Sequence, residues 1–321
     1  MELPASLRDW LLEGTDPSVR HRVLRELLDR PADDPDVVAA RKEIGVEGWA
    51  ADLLALQHPD GHWVTPSATS ADMEQPLCIS TRYFLLVLTD LGVTSADPRM
   101  ARAVDLYLDR MSGPDFVELG GKDSEPCFTS FDVKLAVLFG HGDEPRVRRA
   151  IDWLVSAQKK DGGWNCQPSK RGTLDTWEPL EAFAAIPEQD RTPRVRAAIE
   201  RGLDFYLSRG LMNEGGSTYA PWLRLHYPRH YFYDVLVGLD MVTALGKGRD
   251  PRLKDAWEWL EGKRNNEGRW VLEALHPDRE DEEYLEAARG PIFPFGLEFP
   301  GRPSRWITAI ALIALHRAGR I

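Results

Sequence analysis

Cysteine, positive charge and long apolar segments are all scarce in this chain of 321 residues. Three cysteines are too few for a disulfide scaffold and are typical of a reducing compartment, so we expect a cytoplasmic location. The chain has 40 lysines and arginines against 51 aspartates and glutamates, and its net charge of −11 argues against binding to nucleic acid. The longest strongly apolar run, residues 307–315, is too short for a transmembrane segment.

Alternating apolar and polar residues are also missing, which excludes a sheet of any size and leaves helices as the main element. A short proline motif recurs instead. An acidic residue or threonine precedes proline at five positions, with intervals of 63, 47, 48 and 58 residues: Pro35, Pro98, Pro145, Pro193 and Pro251. Such a residue can cap a helix, and proline suits the first helical position because its missing N–H has no partner there. A period of about 48 residues predicts a repeat architecture.

Two kinds of helix alternate along these repeats. An amphipathic helix follows each proline, and a helix that is apolar on most sides precedes it. The apolar segments are residues 80–91, 129–139, 174–186, 230–245 and 303–318, with a more polar copy at 16–28. This alternation predicts an all-α fold, an α/α toroid (α6/α6 barrel) of about six helix pairs, with an open solenoid as the alternative. We expect one domain over residues 1–321, in which the N-terminal helices of residues 1–57 pack as the first repeat or cap.

A second recurrence follows the amphipathic helices and ends in tryptophan. Its copies are Gln57-His58-Pro59-Asp60-Gly61-His62-Trp63, Gln158-Lys159-Lys160-Asp161-Gly162-Gly163-Trp164 and Arg264-Asn265-Asn266-Glu267-Gly268-Arg269-Trp270. The acidic residue and glycine predict a tight turn, because glycine adopts positive φ without strain. The tryptophan is then expected to pack back on the helix end, where its indole N–H needs a hydrogen-bond partner.

Residues 149–158 with the following Asp161-Gly162-Gly163-Trp164 resemble the QW repeat of squalene-hopene cyclases and related terpenoid cyclases. Protein prenyltransferase β subunits share that toroid and carry similar repeats. The resemblance implies binding of an isoprenoid or similar amphipathic lipid in a central cavity, followed by cyclisation or prenyl transfer. The Asp-x-Asp-Asp motif with which squalene-hopene cyclases protonate an alkene is absent here, so a non-catalytic lipid-binding or scaffold toroid is the alternative.

The prenyltransferase branch adds a local similarity. Glu125-Pro126-Cys127-Phe128-Thr129 is similar to the acid-x-Cys-aromatic-Ser/Thr motif in which prenyltransferase β subunits bind zinc through the acid and the cysteine. Their zinc histidine stands before a Gly-Leu pair, as His230 stands before Gly238-Leu239, although one residue early. The resemblance implies a zinc cofactor, and it leaves open a partner subunit of the kind that covers those toroids.

Candidate site residues follow from the loops. Loops that enter the apolar helices are long and lie on one face of a toroid, where function is expected. Thiolate, imidazole and carboxylate together suit tetrahedral zinc, so we expect a metal site of Cys127, Cys166, Asp175 and His230, with Cys127, Asp175 and His230 as the catalytic residues. The expected substrate-binding residues are Arg82, Trp177, Arg229, Tyr231, Tyr233, Arg305 and Trp306. The alternatives are buried cysteine, helix capping, ion pairing and core packing.

Overall fold

The computed structural model describes residues 3–63, 75–110, 125–229, 232–275 and 297–321, with the backbone alone for residues 75–80 and 110. Helices are the main regular elements of these ranges, and isolated bridges are the extent of β-structure in them. The fold class predicted from the sequence is therefore confirmed as all-α. Within the described part of the chain, no helix combines the length and apolar character that crossing a membrane requires.

The helices are numbered in chain order. They are α1 Ala5–Leu12, α2 Pro17–Arg22, α3 Pro35–Glu43, α4 Gly48–Ala55, α5 Gln75–Asp90, α6 Pro98–Arg110, α7 Pro126–Leu138, α8 Pro145–Ala157, α9 Glu178–Ala185, α10 Pro193–Ser208, α11 Val235–Ala244, α12 Lys254–Gly262 and α13 Arg305–Arg317. A π-helical turn, Val23–Leu27, continues α2, and a 3₁₀ turn, Pro251–Leu253, precedes α12.

The proline motif starts helices as predicted. In five of them a side-chain oxygen just before the proline accepts a backbone N–H of the first turn; these residues are Asp16, Asp34, Asp97, Thr192 and Asp250. Glu144 before α8 makes no such cap and instead pairs with His141 and Arg146. A capping residue before proline therefore marks most of these helix starts. Where a basic side chain is close, as at Glu144, the acidic side chain forms an ion pair instead of a cap.

An inner set of helices, α2, α5, α7, α9, α11 and α13, is surrounded by α4, α6, α8, α10 and α12. The inner helices are apolar on most sides because they are covered from both directions, and every side chain from Trp306 to Leu315 on α13 is buried. The two ends of the series meet where α13 packs against α2 and its π-helical turn. Arg317 pairs there with Glu26. The helices therefore close into a ring, and the open solenoid is not adopted.

The three tryptophan turns share one geometry. The indole Nε1 of Trp63, Trp164 and Trp270 donates to a main-chain oxygen ten residues upstream, over 2.9, 2.8 and 2.7 Å. In the second turn, Gln158 also donates to the Gly162 oxygen over 2.7 Å and to an α10 oxygen over 2.9 Å. Each of the three indoles is fully buried, and its N–H has a hydrogen-bond partner. In the second turn, the bond from Gln158 to α10 links this helix pair to the next.

Charged side chains on the inner helices form ion pairs with one another. Each inner helix contributes one of them: Arg22, Asp90, Lys134, Glu181, Asp240 and Arg317. Lys134 lies 2.9 Å from Glu181 and 3.4 Å from Asp90. Arg317 lies 2.9 Å from Asp240. These ion pairs connect neighbouring inner helices by charge as well as by apolar packing.

Candidate functional site

A cavity of about 960 Å³ lies at the face where the long loops enter the inner helices. Its walls come from the first turns of α7 and α9, from the loops of residues 165–176 and 209–222, and from the residues just before α11. This is the face on which sequence reasoning expected function, because the inner-helix N-termini and the loops meet there.

One wall of the cavity is aromatic. Trp222 stands edge-on to Tyr233, with ring centroids 5.9 Å apart, and edge-on to Tyr219 at 5.7 Å. The polar atoms of this wall are tied to the protein: Tyr233 donates to the Leu211 oxygen over 2.9 Å, and the Trp222 indole donates to Asp175 over 2.6 Å. With the hydroxyl and indole N–H engaged, the aromatic wall offers the cavity mainly apolar surface.

The second wall carries sulfur. The Cys127 backbone N–H donates to the Cys166 Sγ over 3.3 Å, and the Thr176 hydroxyl lies 3.8 Å from the same sulfur. The Cys127 Sγ lies 3.8 Å from a carboxylate oxygen of Glu125. Hydrogen bonding to Cys127 lowers the pKa of Cys166, whereas the interaction with Cys166 and burial raise the pKa of Cys127. Of the two thiols, Cys166 is therefore the easier to ionise.

Glu178 opens α9 and lines the cavity between these two walls. Its side chain is 1 % exposed, and among the described residues neither carboxylate oxygen has a hydrogen-bond partner. Burial, reinforced by the negative charge of Cys166, raises the pKa of Glu178 well above its ordinary value. This environment therefore favours the neutral carboxylic acid over the carboxylate at the cavity wall.

The structure brings together part of the predicted site. Cys127, Cys166, Asp175 and Tyr233 all line the cavity. The Asp175 Oδ1 accepts the Trp222 indole N–H over 2.6 Å. His230 and Tyr231 lie outside the described residues. Glu125, the acid of the zinc-like motif, joins the cysteines in place of Asp175: its ligand atom and the two sulfurs lie within 4.8 Å of one another.

The other predicted substrate-binding residues have structural partners away from this cavity. Arg82 is buried between Tyr107 and Asp132. Arg229 donates to Asp240 over 2.6 Å. These two guanidinium groups neutralise buried carboxylates, so the described structure does not place them on the cavity wall.

Arg305 and the two tryptophans also have other surroundings. Arg305 donates to the Trp10 oxygen over 3.0 Å, which ties α13 to α1. Trp306 packs on Tyr227 with ring centroids 4.9 Å apart. Trp177 is 2 % exposed and does not line the cavity, although it immediately precedes Glu178. At the start of α9, Glu178 lines the cavity and Trp177 does not.

The family models contain no match to this chain. The chain is 25 % identical over 232 residues to squalene–hopene cyclase from Bradyrhizobium diazoefficiens. That match covers 60 % of this chain and 34 % of the enzyme, so the matched part spans about a third of the relative's length. The chain resembles the terpenoid cyclases. This confirms the similarity expected from the tryptophan turns.

Two solved structures are also similar. A protein from Actinoplanes is 17 % identical, with a TM-score of 0.34, and the match covers 88 % of this chain and 99 % of that chain. The type II terpene cyclase MstE from Scytonema is 16 % identical, also with a TM-score of 0.34, and the match covers 88 % and 98 % of the two chains. Scores of this size add nothing to the relationship seen in the sequence.

Proposed function

We propose that this chain is a terpenoid-cyclase-like enzyme that binds an isoprenoid or similarly amphipathic lipid in the loop-face cavity. We further propose that Glu178 donates the proton that starts the reaction. The observation that carries this proposal is the buried carboxyl of Glu178, which lines the cavity and has no hydrogen-bond partner among the described residues. Such an isolated acid destabilises a fold, and sites of this kind are commonly functional.

The cavity suits an amphipathic ligand. Its volume of about 960 Å³ lies at the upper end of the range for small-molecule sites, which favours an extended chain over a small metabolite. The aromatic wall of Tyr219, Trp222 and Tyr233 provides apolar contact, and ring faces can stabilise a carbocation. Polar loop residues on the opposite side can hold a head group, as the lining by Asn165 and Ser217 illustrates.

The chemistry follows from the neutral state of Glu178. Its O–H proton passes to one carbon of an alkene, a C–H bond forms from the π electrons, and the neighbouring carbon becomes cationic. The carboxylate left behind has no protein donor in the described structure, so the adjacent cation is its main stabilising charge. Ring closure by a second alkene and loss of a proton complete the cycle, and solvent reprotonates Glu178.

The test is turnover of two isoprenoid probes, squalene and geranylgeranyl diphosphate, by the full-length chain in D₂O. We expect a cyclic product with one carbon-bound deuterium, because the acid proton exchanges with solvent before it is transferred. Glu178→Gln should abolish the product while lipid binding, followed by tryptophan fluorescence, is retained. Glu188→Gln, the same change at an exposed position, is the matched control.

Product formation by a folded Glu178→Gln variant would refute the role of the acid. Tight lipid binding without product in the wild-type chain would support the non-catalytic lipid-binding alternative and overturn the enzymatic proposal. Absence of binding by either probe would overturn the assignment of the cavity to isoprenoid ligands.

A further inference from the structure

We infer that Glu125, Cys127 and Cys166 form a zinc-binding site in the wall of the cavity. The carboxylate oxygen and the two sulfur atoms lie within 4.8 Å of one another, close enough for one ion to contact all three. Two of these residues line the cavity from α7, and the third lines it from the loop after Trp164. The inference does not depend on the proposed lipid chemistry, because metal binding is measured without any lipid.

Two separately anchored segments create the site. Glu125 is the residue before α7, and its side chain makes no capping hydrogen bond, so the carboxylate lies beside the Cys127 thiol instead. Cys166 follows Trp164, whose buried indole is held by the Leu154 oxygen at 2.8 Å. Because helix α7 and the tryptophan turn are both firmly packed, the three ligand atoms are held together before any metal arrives.

The donor set favours zinc. Sulfur ligands select zinc over magnesium and calcium, which prefer oxygen. Three protein ligands leave one position of a tetrahedral ion for a water molecule or ligand, as in catalytic zinc sites. The Thr176 hydroxyl, 3.8 Å from the Cys166 sulfur, supplies the kind of outer hydrogen bond that orients a metal ligand. When bound, zinc would supply a Lewis acid at the cavity wall.

Among the described residues, the other group with converging ligand atoms is His58, Asp60 and His62. His58 and Asp60 are exposed and lie away from the cavity, which makes that turn a suitable control.

The experiment uses the full-length chain without an affinity tag, kept reduced by a phosphine and free of chelator. Elemental analysis should find close to one zinc per chain. Replacement by Co²⁺ should produce sulfur-to-cobalt charge-transfer absorption. Cys127→Ala and Cys166→Ala should each weaken Co²⁺ binding at least about ten-fold, while Glu125→Gln should weaken binding and keep the absorption band, because both sulfurs remain.

Two controls separate this site from other ligands. Asp175→Asn should keep the metal, since its carboxylate bonds to Trp222, and a His58→Ala/His62→Ala double variant should keep it as well. The inference is overturned if the wild-type chain shows no sulfur-to-cobalt band, or if the folded cysteine variants bind Co²⁺ as tightly as the wild type. Should either cysteine variant unfold, the rate of Cys166 alkylation in the wild type decides: zinc should slow it, and an unchanged rate would refute the site.

Discussion

The Arg229 guanidinium donates a hydrogen bond of 2.6 Å to Asp240, and both side chains are largely buried. Arg317 approaches the same carboxylate to 2.9 Å and Arg22 to 3.8 Å. Asp240 is 6 % exposed, so its charge is compensated by these three cations rather than by bulk water. The carboxylate of Asp240 on α11 therefore links the first and last inner helices, α2 through Arg22 and α13 through Arg317.

Replacing Asp240 by asparagine should destabilise the fold strongly. Three guanidinium groups would lose their shared anion, and breaking one side of a buried ion pair costs about 3–5 kcal/mol. Urea unfolding followed by circular dichroism measures the change. Asp152→Asn is the control: its partner Arg194 lies 3.0 Å away, both side chains are more than half exposed, and the loss should be about 0–1 kcal/mol. Similar losses of unfolding free energy in the two variants would contradict a large contribution of the Asp240 ion pairs to stability.

The same carboxylate should control stability in acid. Burial acts against ionisation of Asp240, but Arg229, Arg22 and Arg317 outweigh it and hold the pKa of Asp240 well below its usual range. The unfolded group titrates near pH 4, so its stabilising contribution is complete above about pH 4 and is lost as the pH falls toward the lowered value. Unfolding free energies between pH 6 and pH 2 should therefore fall more steeply for the wild type than for Asp240→Asn. Parallel curves would refute this assignment.

The second tryptophan turn should depend on Gln158. Its amide donates to the Gly162 oxygen over 2.7 Å and to the Ala198 oxygen on α10 over 2.9 Å. Gln158→Ala removes both bonds and should lower the free energy of unfolding by about 1–3 kcal/mol. Gln167→Ala, the same change at an exposed loop position, should stay within about 0.5 kcal/mol of the wild type. Equal thermal stability of the two variants would show that the turn does not depend on this amide.

Glu178 should reduce stability at neutral pH. Burial raises the pKa of Glu178 in the folded chain. At pH values between the unfolded and the folded pKa, the carboxyl is ionised in the unfolded chain and protonated in the folded chain. Its contribution is favourable below about pH 4 and declines as the pH rises through the folded pKa. The stability of Glu178→Gln relative to the wild type should therefore grow by about 1.4 kcal/mol per pH unit between the unfolded and the folded pKa, and then stay constant. Unfolding at pH 4, 6 and 8 tests this, and a difference that is constant with pH would show that Glu178 is already ionised.

Helix starts depend on residues that are close in sequence, and for this reason several of them are predicted correctly from the sequence. Proline at the first position and an oxygen before it are sufficient to predict the starts of α3 and α10. The start of α9 was predicted four residues early, because apolar pattern alone does not show that Glu214 binds the Leu174 N–H and holds this segment as a turn. A contact across 40 residues has no local signature.

The sequence by itself determined the all-α class, the alternation of buried and amphipathic helices and the three tryptophan turns, because helix period, capping and turn chemistry act over a few residues. It also grouped Cys127 and Cys166 as candidate metal ligands, since both were expected on the loop face. Only the tertiary structure decided that Arg229 neutralises Asp240 instead of facing a ligand, that Asp175 accepts the Trp222 indole N–H, and that Glu178 is isolated in the cavity wall. Burial and charge pairing depend on distant residues that folding brings together, and no local pattern records them.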